Sequence, residues 1–65
     1  SGNNTGTGSE QAIAHGLDFT PSLSQVHLSE RSTGDALPYQ SKAPDATNIY
    51  VIATNGKDYN WYIHP

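Results

Sequence analysis

The chain has no cysteine, no methionine, only three Lys and Arg residues in 65, and no long apolar run. Each absence closes a route. Without cysteine the chain cannot staple itself with disulfides, and its redox compartment cannot be read. Arg31, Lys42 and Lys57 lie far apart, so no basic stripe exists to neutralise phosphates, and nucleic acid is set aside as a partner. A bilayer-crossing helix needs about 20 consecutive apolar residues, so membrane insertion is set aside as well. Charged residues make up only 14%, while Ser, Thr, Asn and Gly abound. That balance leans toward extracellular or virion-surface β-proteins.

Large apolar side chains are also scarce. Hydrophobic residues make up 34%, but six of them are alanine, leaving sixteen large ones. Burying one contributes roughly 1.5–3 kcal/mol, while ordering each residue costs about 1.5 kcal/mol. The margin for a lone chain is thin. Chains of this size usually add disulfides, a metal or oligomerisation. With no cysteine and no recognisable metal motif, oligomerisation, or attachment to a larger body, is the expected route.

Eight of those sixteen large residues sit in NIYVIATNGKDYNWYIHP, residues 48–65. Asn55-Gly56 between two alternating runs signals a hairpin, because a type I′ turn demands positive φ at both central residues. A two-residue loop would pair Ile52 with Tyr59 and Tyr50 with Trp61. A four-residue loop over Asn55–Asp58 would shift those partners, but in either case Tyr50, Ile52, Tyr59, Trp61 and Ile63 would share one face, and Ile49, Val51, Ala53 and Tyr62 the other. Strands with one wet side normally alternate cleanly. These do not, so Ile49, Tyr50, Val51, Ile52, Tyr59, Trp61, Tyr62 and Ile63 are the expected packing and interface residues, with part of the cover supplied by another subunit.

The remaining segments read as short strands and connections. SGNNTGTGS, residues 1–9, has no large apolar residue and reads as a flexible leader or linker before one small β domain over 10–65. EQAIAH, residues 10–15, puts Gln11, Ile13 and His15 on one parity, which suits a strand. Gly16, free to take positive φ, and Pro21, with fixed φ, bracket the following connection. Leu17 and Phe19 are expected to plug the core edge. SLSQVHLS, residues 22–29, alternates as a half-buried strand. Residues 30–46 form a long irregular connection with a short extended piece at Leu37–Gln40, anchored by Leu37 and Tyr39.

Chemistry-bearing residues do not converge. No two of His15, His27 and His64 are closer than 12 residues, so no metal-ligand spacing appears, and no metal or cofactor is expected. A metal on a symmetry axis, with one histidine from each of three chains, is the weaker alternative. No G-x-S-x-G elbow is present, and the six carboxylates fall mostly at turns, where Asp caps its own backbone. No enzymatic activity is expected. Tyr39, Tyr50, Tyr59, Trp61 and Tyr62 could form a sugar-stacking platform, but so small a core needs them for packing.

At AIAHGLDFTPSLSQVHL, residues 12–28, the chain resembles a module of bacteriophage virion proteins. In tail-fibre and appendage proteins a Gly/Thr-rich lead-in runs into a segment ending His-Gly-Leu, and a Thr-Pro then opens a strand. GTGSEQAIAHGL (6–17) and Thr20-Pro21 match that pattern, though Asp18 stands where a second glycine is expected. APDATNIYVIATNGKDYNWYI, residues 43–63, is similar to the closing hairpin of such proteins. The resemblance implies a virion component built as an oligomeric β-module, with no catalytic residues to carry over.

The fold expected is therefore all-β: a small antiparallel sandwich or sheet of about four or five short strands, completed by oligomerisation. The function expected is that of a virion structural protein, a fibre or appendage module or a capsid decoration protein, acting by assembly and surface attachment. A homotrimer is the favoured state, with other virion proteins as partners and the particle surface as its location. The alternative is a carbohydrate-binding module that meets a host-surface glycan.

Overall fold

Ile, Val, Tyr and Trp fit a pleated, half-buried surface, and the two segments richest in them become the middle strand of each sheet. The computed structural model describes residues 1–31 and 35–65. Its strands are β1 (Gly2–Thr5), β2 (Gln11–Ala14), β3 (Val26–Glu30), β4 (Tyr39–Lys42), β5 (Asn48–Ile52) and β6 (Asp58–Ile63). They form two three-stranded antiparallel sheets, ordered β1-β6-β3 and β2-β5-β4. The all-β, antiparallel expectation holds, with six strands rather than four or five.

Alternation decides the core. Ile49, Val51 and Ala53 point inward from β5 and its extension, and Tyr59 and Trp61 from β6. They meet Ile13, Val26 and Ala36 in one buried cluster, with Leu28 and Ile63 packed against it. Because that cluster draws on both sheets, the two pack face to face, each hiding one side of the other.

The expected pairing of β5 with β6 is corrected. They lie in different sheets, so Ile52 faces Tyr39 instead of Tyr59, and Tyr50 faces Ala12 and Lys42 instead of Trp61. The reason lies in the turn. Among the described residues outside glycine, only Leu37 has positive φ; in the Asn55-Gly56 pair Gly56 alone does, at 79°. With the Lys57 N–H donating to Thr54 C=O at 3.1 Å, this is the sign pattern of a type II turn. Such a turn splays its arms instead of matching the strand twist. The chain therefore arches from one sheet to the other. Each arm turns one apolar face inward, and the two inward faces cover each other.

What composition marks as a flexible leader is also corrected. Residues 2–5 form edge strand β1, with Gly2 opposite Trp61 and Thr5 opposite Asp58. Past it, Gly6 threads the mouth of the arch. Its N–H donates to Lys57 C=O at 2.8 Å, its C=O accepts from Gly56 N–H at 2.9 Å, and the Gly8 N–H donates to Ala53 C=O at 2.9 Å. A methyl group at Gly6 would sit 2.3 Å from the Thr54 carbonyl oxygen and 2.7 Å from the Ala53 carbonyl. These are backbone atoms, so only glycine fits without a shift.

Elsewhere the chain divides between agreement and difference. β2 buries Ile13 and exposes Ala12 and Ala14, and His15 just past its end is buried on the same parity. Gly16 takes φ of 70°, and Pro21 is buried. The strand expected over 22–29 starts late: a 3-10 turn, Leu23–Gln25, precedes β3. The Gln25 side chain explains the delay, since it accepts from Ser22 N–H at 2.8 Å and donates to His64 C=O at 3.2 Å, closing the turn. Leu17 is half-buried, but Phe19 is exposed and plugs nothing. In the connection expected over 30–46, residues 32–34 lie outside the described residues. Ala36 is buried in the core and Tyr39 opens β4, while Leu37 and Tyr39, the expected anchors, are 67% and 54% exposed.

Candidate functional site

The residues expected to pack or meet a partner fall into three places. Ile49, Val51, Tyr59 and Trp61 are buried within the chain, and Ile63 is half-buried facing the same way. Tyr62 lies on the outer side of β1-β6-β3, and Tyr50 and Ile52 on the outer side of β2-β5-β4. The five aromatics considered for sugar stacking are thus divided. Two are in the core, Tyr62 is on one outer face, and Tyr39 and Tyr50 are on the other. They do not form one platform.

The outer side of β1-β6-β3 is mostly polar. Thr5 Oγ1 donates to Asp58 Oδ1 at 2.7 Å. His27 stacks on Tyr62, with centroids 4.7 Å apart and planes 12° apart, and His64 meets His27 edge-on at 6.3 Å. His27 and His64 are far apart in sequence, yet β3–β6 pairing brings them together. Among the described residues no group of three or more His, Cys, Asp or Glu side chains could hold a metal.

The outer side of β2-β5-β4 is different. Tyr39 stands opposite Ile52, and Lys42 and Ala12 flank Tyr50. Together they form an aromatic and aliphatic strip that runs from β4 across β5 to the alanines of β2. The Lys42 ammonium sits 4.3 Å from the Tyr50 ring centroid, a cation–π contact typically worth about 0.5–1 kcal/mol at an exposed site. The Tyr50 hydroxyl donates to the Asp45 carboxylate. Asp45 Oδ1 also accepts from Thr47 N–H at 2.9 Å and Asn48 N–H at 2.7 Å. The Tyr50 hydrogen bond foremost, then those two amides, hold the Asp45 pKa at about 2, against an ordinary 3.8. The β4–β5 connection is thereby tied down at one end of the strip.

Two further side chains fix the frame. Tyr59 donates its hydroxyl to Gln11 Oε1 at 2.8 Å, and Gln11 Nε2 donates to Thr5 C=O at 3.0 Å. Gln11 thus links the sheets, and burial raises the Tyr59 phenol above its ordinary pKa. His15, buried at the end of β2, accepts from Leu17 N–H through Nδ1 at 3.1 Å. That places its proton on Nε2, which lies 2.9 Å from Asp45 C=O. Both ring nitrogens hold backbone, so His15 is a structural brace.

Reasoning from the sequence misses Gly6, Gln11 and Asp45. All three act through backbone or single hydrogen bonds, which leave no mark in hydropathy. No protein-family model matches the chain, and no curated protein or solved structure matches it either.

Proposed function

We propose that the protein is a structural module that works by assembly, joining copies of itself and neighbouring proteins through surface contact. One observation carries this reading: the strip of Tyr39, Ile52, Tyr50 and Ala12 on the outer side of β2-β5-β4, with Leu37 exposed beside it in the chain. Aromatic residues are enriched at protein interfaces. On the opposite outer side the middle strand presents Asp58, Asn60 and Tyr62, with Asn3 and Ser29 flanking Asn60 and His27 stacked on Tyr62. The setting proposed is a phage virion, as a fibre, appendage or capsid-decoration component. That part rests on the resemblance over residues 12–28 and 43–63.

Light scattering across micromolar to millimolar concentration tests the assembly reading. An oligomer that dissociates on dilution is the expected result, and a strict monomer throughout would overturn it.

A further inference from the structure

We propose that copies of this chain join edge to edge through β2, in antiparallel register about a two-fold axis, so that two β2-β5-β4 sheets become one continuous sheet. The proposal rests on the assembly reading above and names the contact.

The β2 backbone points alternately toward β5 and away from it. His15 N–H donates to Thr47 C=O at 3.0 Å, and Ile13 and Gln11 follow in register with Ile49 and Val51. Hydrogen-bonded and non-hydrogen-bonded pairs alternate along an antiparallel ladder. The N–H and C=O groups of Gln11, Ile13 and His15 therefore face β5, and those of Ala12 and Ala14 face away. On the far side of β5, Asp45 N–H donates to Asn48 C=O at 3.0 Å, so Asn48 turns its backbone toward β4, away from Ala14. Ala12 and Ala14 are exposed, and among the described residues their backbone groups have no partner.

The other three edges carry features that block such pairing. Proteins blunt open edges with charge, proline, bulges or cover, because a bare edge pairs with another chain. β4 has a register irregularity between Gln40 and Lys42, the Lys42 charge, and Pro38 and Pro44 on either side. On β1 the outward Thr5 carbonyl is already taken by Gln11 Nε2, and Gly and Asn are poor strand formers. β3 ends in the charges of Glu30 and Arg31. Within Gln11–Ala14, β2 has none of these, and the Glu10 carboxylate just before it accepts from Ser41 Oγ at 2.5 Å. The residues whose backbone faces the open edge are two alanines, whose small side chains on the outer face leave that edge uncovered.

The match to a second copy follows from symmetry. With the axis through Ile13, Ala12 of one copy lies opposite Ala14 of the other and the reverse, an isologous contact. Ala12 and Ala14 carry the outward-facing groups, so each such pair exchanges both N–H···O=C bonds. The outer strips of the two copies then meet across the alanine seam. A two-fold pair differs from the trimer favoured on the sequence, and the mass decides between them.

The test uses the whole chain in sedimentation velocity with amide hydrogen exchange. A mass twice the 7.0 kDa of one chain is expected, with the Ala12 and Ala14 amides protected at high concentration and exchanging freely on dilution. Ala14→Pro removes an outward donor and no bond to β5, which is where edge strands tolerate proline. It should give a folded monomer. If that variant does not fold, the pair Ala12→Glu with Ala14→Glu serves instead, because it sets like charges opposite each other only across the seam. Mixing it with the Ala12→Lys, Ala14→Lys variant should restore the two-fold species. A trimer, unprotected Ala12 and Ala14 amides within the oligomer, or an oligomer unaffected by both seam variants would overturn the β2 contact while leaving assembly standing. A monomer at every concentration would overturn both.

Discussion

Gly6→Ala isolates what holds the first residues of the chain in place. The added methyl would lie 2.3 Å from the Thr54 carbonyl oxygen, whereas ordinary contact begins near 3.4 Å. The segment must therefore withdraw by the difference, 3.4 minus 2.3, or about 1.1 Å. Three backbone hydrogen bonds of 2.8–2.9 Å surround the site, from Gly6 to Lys57, Gly56 to Gly6 and Gly8 to Ala53. A retreat of that size takes them out of bonding range. Each contributes roughly 0.5–1.5 kcal/mol net, so the summed loss of the three is about 1.5–4.5 kcal/mol. At 0.05–0.15 kcal/mol per residue, a domain of this length has roughly 3–10 kcal/mol in all. The variant should lose a large fraction of that. Urea unfolding followed by Trp61 fluorescence reads it directly, and the melting temperature should fall by on the order of 10–25 °C. Were residues 1–9 a loose leader, the same change would be silent. A midpoint within about 0.5 kcal/mol of the parent would refute the threading of Gly6 through the arch.

Trp61→Ala should cost about 3–5 kcal/mol, as for other core tryptophans and phenylalanines, and is measured by far-UV circular dichroism in urea; an unchanged midpoint would place Trp61 outside the core. The Asp45 pKa is lowered on folding, so its contribution is present above about 3.8 and lost as the pH falls toward 2. Between pH 6 and pH 2 the urea midpoint of Asp45→Asn should fall less than that of the parent, and equal falls would count against the carboxylate's role. Leu37 holds φ of 45° while 67% exposed, a left-handed conformation that costs roughly 1–2 kcal/mol for a residue with a side chain. Leu37→Gly relieves that strain but loses more freedom on folding, so thermal melts should show stability unchanged or raised by about 1 kcal/mol; a loss beyond that would reveal packing at Leu37.

Periodicity is legible within a segment and blind between segments. The parity of Gln11, Ile13 and His15 against Ala12 and Ala14 correctly marks one strand with one buried side. The alternation of 48–52 and 58–63 correctly marks two more. What a period of two cannot say is whether a turn folds its arms against each other or sends them into opposite sheets. That depends on φ at Asn55, and Asn tolerates either sign. Once the arms part, the faces reassort: Ile49 and Val51 join Tyr59 and Trp61, and Tyr50 and Ile52 turn outward. Residues 1–9 fail for another reason. They anchor through backbone groups and through the lack of a side chain at Gly6, neither of which registers as hydrophobicity. On the outer strip, Tyr50 and Ile52 are among the residues singled out from sequence, whereas the place of Tyr39 opposite Ile52 follows from pairing alone.

Both middle strands come late in the chain, and the earliest strand lies against the latest, Gly2 facing Trp61. On a ribosome, β1 to β4 would emerge with no ladder to join; β2 and β4 would wait until Ile52 had cleared the exit tunnel, and β1 and β3 until Ile63 had. Folding of this domain should therefore be slow for its size, since distant ends must find each other before local contacts can reward the search.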